Sequence, residues 1–198
     1  MKLKVLTDSQ YRNADLVKAY HIVYYVPKSY GKDITGWSDK IFNFKKSEEY
    51  KSDNELISLS VEAIKNEKLS FNYIIRVMGH EETIPKKGHK LSILAKEILK
   101  VTDSIYIVQL LRKKRRTIPF HLLNSVAERE AEIKDVFFVY DKSYDLNRKT
   151  LLIVDDITTS CTLVKEMIKT IKKTWPYVSV YQYCIGRTNH DIESNLTI

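Results

Sequence analysis

What this chain can fold into is constrained most by residues 151–163, Leu-Leu-Ile-Val-Asp-Asp-Ile-Thr-Thr-Ser-Cys-Thr-Leu. A short, uninterrupted apolar run is the pattern of a strand buried on both faces. Two carboxylates, Asp155 and Asp156, follow at once. Then come Thr158, Thr159, Ser160, Cys161 and Thr162, and an amphipathic helical pattern. Open α/β sheets are built from this sequence of strand, loop and helix N-terminus, and they bind ligands beyond the carboxyl ends of their strands.

The chemistry of the junction follows from its residue types. A helix N-terminus offers unpaired N–H groups and the positive end of its dipole, which suits a phosphate monoester. Thr158, Thr159, Ser160 and Thr162 add hydroxyl donors. Asp155 and Asp156 repel phosphate but accept hydrogen bonds from sugar hydroxyls, or hold Mg²⁺ through water. Donors for phosphate beside acceptors for hydroxyls point to one ligand carrying both groups, such as a ribose 5-phosphate. The bland alternative is a turn in which Thr159 or Ser160 only caps the helix. The preceding Leu-Leu-Ile-Val run and the following helix weigh towards the ligand site.

The rest of the chain fits an α/β frame. Residues 2–7, 18–26, 72–78, 104–110, 136–140, 150–155 and 177–184 read as strands, and 54–67, 89–100, 122–131 and 161–174 as helices. Asn54 or Asp53 is positioned to cap the first helix. Alternation from residue 54 onward predicts a mostly parallel central sheet flanked by helices. Residues 27–53, with Pro27, Gly31, Gly36 and many charges, read as a long loop with short ordered pieces. No repeat or linker divides the 198 residues, so one domain is expected.

Charge and cysteine content narrow the classes. Lys plus Arg number 33 against 25 Asp plus Glu, a net +8 that suits anionic partners. Cys161 and Cys184 are the only cysteines, too few for a zinc ribbon or disulfide framework, and imply a reduced, cytoplasmic protein. The N-terminal residues lack an apolar core long enough for a signal peptide, and no run approaches the ~20 apolar residues of a spanning helix.

Two further segments carry charge. The strand over 72–78 runs into Gly79-His80-Glu81-Glu82 and then Pro85-Lys86-Lys87-Gly88-His89-Lys90. A Gly at a strand end lets backbone approach a ligand closely. With Lys86, Lys87 and Lys90 it reads as a diphosphate pocket using N–H groups of residues 78–80, or else as a solvated turn. Arg112-Lys113-Lys114-Arg115-Arg116 is a run of cations that repel one another and are expected to stay exposed. It reads as a surface loop, a nucleic-acid patch, or a mobile flap that closes on a diphosphate. His80, His89 and His121 have no metal-ligand spacing, and His190 follows the last strand.

The 151–163 stretch resembles the phosphoribosyl-diphosphate-binding motif of type I phosphoribosyltransferases. The resemblance implies that fold, with residues 1–53 as a hood or appendage and 54–188 as the core. It also implies ribose 5-phosphate held by Asp155, Asp156, Thr158, Thr159, Ser160, Cys161 and Thr162, with Asp155 and Asp156 as catalytic residues and as indirect holders of Mg²⁺. Val77-Met78-Gly79-His80, Lys87-Gly88-His89-Lys90, Arg116-Thr117, Glu128-Arg129, Glu132 and Phe137 resemble, over about residues 40–188, the ComF-like branch associated with DNA uptake. That branch's zinc ribbon is missing here. The resemblance places Gly79, His80, Lys86, Lys87, Arg112 and Arg116 at a diphosphate and Arg187 beside the base. It implies 5-phosphoribosyl 1-diphosphate as ligand and glycosyl transfer at ribose C1 as reaction. Cys161 stands where the family usually has Gly, and Leu163 where it often has Thr. Two alternatives therefore stay open: a catalytically degenerate module sensing the diphosphate sugar or a nucleotide, alone, as a homo-oligomer or in a larger complex, and a nucleic-acid binder acting through residues 112–116 in DNA uptake or phage defence.

Overall fold

The computed structural model describes residues 1–7, 11, 13–31, 33, 35–46 and 54–189. Strands β1 (Lys4–Val5), β2 (Lys18–Tyr25), β3 (Tyr73–Arg76), β4 (Ile105–Tyr106), β7 (Thr150–Thr158) and β8 (Ser179–Thr188) form one sheet in the order β1-β2-β8-β7-β3-β4. Every pairing except β1 with β2 is parallel. The helices are α1 (Trp37–Lys46), α2 (Glu55–Asn66), α3 (Lys90–Thr102), α4 (Val126–Ile133) and α5 (Thr162–Lys172). The protein is thus mixed α/β, with a mostly parallel central sheet flanked by helices, as the alternation predicts.

The middle of the sheet is apolar on both faces. Leu151, Leu152, Ile153 and Val154 of β7 are each no more than 1% exposed. β7 lies between β3 and β8, so its two faces are covered by helices and its two edges by strands. The crossover β3–α3–β4 leads to one side of the sheet order and β7–α5–β8 to the other. Right-handed crossovers running in opposite directions place α3 and α5 on opposite faces. The crevice between the carboxyl ends of β3 and β7 is therefore the topological switch point of the sheet.

Several local expectations change. The strand expected at 18–26 is present as β2, and although it falls in the span given to a hood it lies parallel to β8 inside the sheet. Its Ala19, Tyr20, Ile22 and Val23 are buried, so this strand belongs to the core. The supposed loop over 27–53 contains the ten-residue helix α1; residues 47–53 lie outside the described residues. Asp33 organises its start by accepting bonds from Ser38 N (2.6 Å) and Thr35 N (2.8 Å). Residues 111–113, expected to be irregular, form β5 (Leu111–Lys113), an antiparallel partner of β6 (Phe137–Val139). The carboxylate pair is not beyond the strand: β7 continues through Asp155 and Asp156 to Thr158. Asn54 does cap α2, accepting a bond from Leu56 N at 3.0 Å. Among the described residues no helix is long and apolar enough to cross a membrane.

Candidate functional site

The carboxylate pair sits where β7 reaches the switch point. Asp155 is 8% exposed, and its Oδ1 accepts a bond from Asp156 N at 2.8 Å. Asp156 Oδ1 accepts one from Ile157 N, also 2.8 Å, and faces Lys45 Nζ at 3.5 Å. Burial first, and then the neighbouring Asp156 charge, push the Asp155 carboxyl well above the usual carboxylate range; the Asp156 N–H bond and Lys45 work in the opposite sense. Both backbone bonds fall on Oδ1. The remaining oxygens suit hydroxyl donors or a water-bridged divalent cation.

Lys45 is the residue that sequence reasoning missed. It is reached through packing of α1 on the sheet: Ile41 is fully buried, and its Cδ1 would lie 2.7 Å from a Cβ added at Gly186 of β8. Gly186 thus lets α1 settle onto the strand. One turn later, Lys45 faces the pair. Burial lowers the Lys45 ammonium pKa, but Asp156 and Asp155 outweigh it and the net shift is upward. Lys90, 7% exposed, donates to the carbonyl of Lys45, placing a cation at the carboxyl end of α1. His89 is the N-cap of α3, its Nδ1 accepting from Leu91 N at 3.2 Å. Burial, with Arg76 and Lys90 adding to it, brings the imidazole down to about 4, so it is neutral and able to accept that bond.

The phosphate side of the site is the start of α5. Cys161 is the N-cap residue in left-handed backbone geometry, φ 58° and ψ 10°. That is the conformation Gly adopts without cost. The loop therefore keeps the glycine-type turn despite the side chain, which is 5% exposed and directs its Sγ to Gln182 Oε1 at 3.1 Å. Burial raises this thiol to about 12, so it is a packing group and not a nucleophile. It makes no side-chain cap bond, which leaves the first-turn N–H groups of α5 to an external acceptor. Ser160 Oγ and Thr162 Oγ1 lie 2.7 Å apart, and Thr159 Oγ1 bonds Thr188 Oγ1 at 2.6 Å. Thr158 is different: it lies inside β7, 3% exposed and opposite Arg187, so its hydroxyl is withdrawn from the loop set.

The expected diphosphate residues differ in their surroundings. Gly79 lies in the loop after β3, but its N–H donates to Glu82 Oε2 at 2.8 Å. Glu82 also accepts two bonds from Arg76, at 2.8 and 2.7 Å, and one from Lys86 N at 3.0 Å. The Lys86, Lys87 and His80 side chains are exposed. Arg112 bonds Gln109 and stacks over Tyr140, and Arg116 accepts a bond from Arg115 on its carbonyl. The basic run is not uniformly exposed, contrary to the like-charge argument. Lys113 is 4% exposed, and its Nζ donates to Gly79 O at 2.9 Å. Strand geometry turns this residue inward, and burial lowers its ammonium to about 8 despite Glu82 and Glu132. The segment expected as a flap is bonded to the loop, through Lys113 N to Thr83 O and Thr117 N to His80 O, each 2.9 Å. Arg115 pairs with Glu132 at 2.6 Å, and Glu128 accepts a bond from Asn124 N ahead of α4. Arg187 lies on β8 across from Thr158 at the same end of the sheet; His190 lies outside the described residues. Among the described residues no group of three or more His, Cys, Asp or Glu side chains converges as a metal centre.

No family model matches this sequence, and no curated protein matches it. Among solved structures, the chain is similar to a hypoxanthine phosphoribosyltransferase from Staphylococcus aureus, with 12% identity and a TM-score of 0.40. That match covers 76% of this chain and 73% of the other.

Proposed function

We propose that this protein binds a ligand carrying a 5-phosphoribosyl group at the carboxyl end of β7. Asp155 and Asp156 accept the ribose hydroxyls. Thr159, Ser160, Thr162 and the first-turn N–H groups of α5 hold the 5-phosphate. The observation that carries this reading is the left-handed Cys161 between a strand that bears the carboxylate pair and an open helix N-terminus, at the switch point of the sheet. Lys45 and Lys90 supply positive charge beside the carboxylates, which keeps an anionic ligand from being repelled.

The reaction class that fits is glycosyl transfer at ribose C1, in a type I phosphoribosyltransferase-like protein of ComF-like affinity. With 5-phosphoribosyl 1-diphosphate as donor, diphosphate would leave as C1 gains oxocarbenium character. Asp155 and Asp156 would hold Mg²⁺ through water or through the ribose hydroxyls, and the ion would neutralise charge developing on the leaving group. The free thiols Cys161 and Cys184 support a reducing, cytoplasmic setting. A second reading, binding without turnover, is favoured by one observation: the loop after β3 is already occupied by Glu82.

Calorimetric titration with ribose 5-phosphate and with 5-phosphoribosyl 1-diphosphate, each with Mg²⁺, tests the reading. Wild-type protein is expected to bind at least one of them, and an Asp155→Asn/Asp156→Asn double variant neither. Equal binding by the variant, or no binding by the wild type, overturns it.

A further inference from the structure

We infer that the ligand of this site carries no diphosphate at C1, and is a ribose 5-phosphate or nucleoside 5′-monophosphate. The inference rests on the phosphoribosyl reading above and, of its two outcomes, takes binding without turnover, since glycosyl transfer needs the diphosphate sugar as donor. The loop between β3 and α3 leaves the sheet beside the carboxylate pair: Arg76 is in register with Val154, and Val77 N bonds Val154 O at 3.0 Å. With the 5-phosphate on α5 and the hydroxyls on Asp155 and Asp156, this loop is the wall that meets the substituent at C1.

That wall is built around an anion, and the chain supplies the anion itself. Glu82 takes both arms of Arg76, the Gly79 N–H and the Lys86 N–H within 2.7–3.0 Å. The two side chains are 5% and 1% exposed. Arg76 has no donor left over. Its Nε bonds Ser92 Oγ at 2.8 Å, and its terminal nitrogens serve Val77 O and Lys86 O as well as Glu82. Together these bonds use the full donor set of a guanidinium. From the other side, β5 of the antiparallel β5–β6 pair closes the loop with Lys113 Nζ on Gly79 O, and this buried amine also donates to Thr117 Oγ1. A diphosphate taking these donors must expel Glu82 and leave a buried charge unpaired. Breaking a buried ion pair in this way corresponds to a loss of at least ~100-fold in affinity. A neutral base or a hydroxyl at C1 makes no such demand.

The test is calorimetry on wild-type protein at constant free Mg²⁺, with three probes: ribose 5-phosphate, a nucleoside 5′-monophosphate and 5-phosphoribosyl 1-diphosphate. One of the first two is expected to bind at least ~10-fold more tightly than the third, a difference of one decade in Kd. Equal or tighter binding of the diphosphate sugar overturns the inference and leaves the phosphoribosyl reading standing. Binding of none of the three overturns both. Glu82→Gln, where circular dichroism shows it folded, is expected to shift the ratio towards the diphosphate sugar by ~10-fold or more. An unchanged ratio in folded variant would overturn the assignment to Glu82. The wild-type ratio decides the question even if the variant does not fold.

Discussion

Replacing Glu82 by Gln perturbs a buried carboxylate that accepts four hydrogen bonds, and its cost can be worked from the structure. Burial raises the Glu82 carboxyl pKa, but the Arg76 hydrogen bonds and charge, with the Lys86 and Gly79 N–H groups, bring it from 4.5 down to about 2. At ~1.36 kcal/mol per pH unit, the fall from 4.5 to about 2 is worth ~3.4 kcal/mol. The side chain is only 5% exposed, so solvent screening removes little of this. A depressed carboxyl contributes its stability above the unfolded value and loses it as pH falls through the folded one. Here the contribution is complete above about pH 5 and mostly gone near pH 2. Removing one partner of a buried ion pair independently costs ~3–5 kcal/mol. Urea unfolding of wild type and Glu82→Gln should therefore show a gap of ~3–4 kcal/mol at pH 7, shrinking below ~1 kcal/mol near pH 2.5. Asp33, Glu132, Asp135 and Asp141 also have depressed carboxyls, but they are common to both proteins and cancel in the gap. A gap that is the same at both pH values, or under ~1 kcal/mol at pH 7, refutes the reasoning.

Other substitutions separate stability from binding. Asp155→Asn removes a carboxyl whose ionisation burial opposes, while an amide oxygen can still accept from Asp156 N–H. We expect a gain of about 1 kcal/mol at pH 7 that vanishes at pH 3, together with loss of ribose 5-phosphate binding, read by thermal melts and calorimetry. For Lys113, whose ammonium is lowered to about 8 chiefly by burial, the unfolded chain holds the proton more tightly. Wild-type stability relative to Lys113→Met should therefore rise by up to ~3 kcal/mol between pH 8 and 10.5; a flat difference in urea unfolding would contradict the burial of the amine. Cys161→Gly relieves a left-handed φ of 58°, worth about 1 kcal/mol, but gives up the Sγ contact with Gln182. Its unfolding free energy should stay within ~1 kcal/mol of wild type, and a loss above ~2 kcal/mol would show that the thiol and not the turn holds the loop.

The legible parts of this protein are those whose signal is local. β7 announces itself because a strand buried on both faces has no polar alternation to blur it. The α5 start is legible as a loop and helix junction, and Asn54 as a cap, because both depend on residues adjacent in sequence. Helix α1 was hidden by Gly36 and a high density of charge, since its stability comes from Ile41 and Phe44 packing on the sheet. For Lys113 a row of like charges argues for exposure, whereas pairing of β5 with β6 turns alternate residues inward.

By itself, then, the sequence determined a mostly parallel α/β sheet and an apolar strand, carrying two carboxylates, that leads into a helix N-terminus. Apolar runs and helical periodicity encode burial directly, so those conclusions required no long-range contact. Only the tertiary structure decided which charges face that junction. Lys45 reaches Asp156 through a helix seated over Gly186, and Glu82 fills its own loop because Arg76 and two backbone N–H groups converge on it. The physical reason is that hydrogen bonding and charge pairing act over a few ångströms of space, whatever the separation along the chain. The same motif can therefore face an open anion pocket or, as here, one that the protein has closed with its own carboxylate.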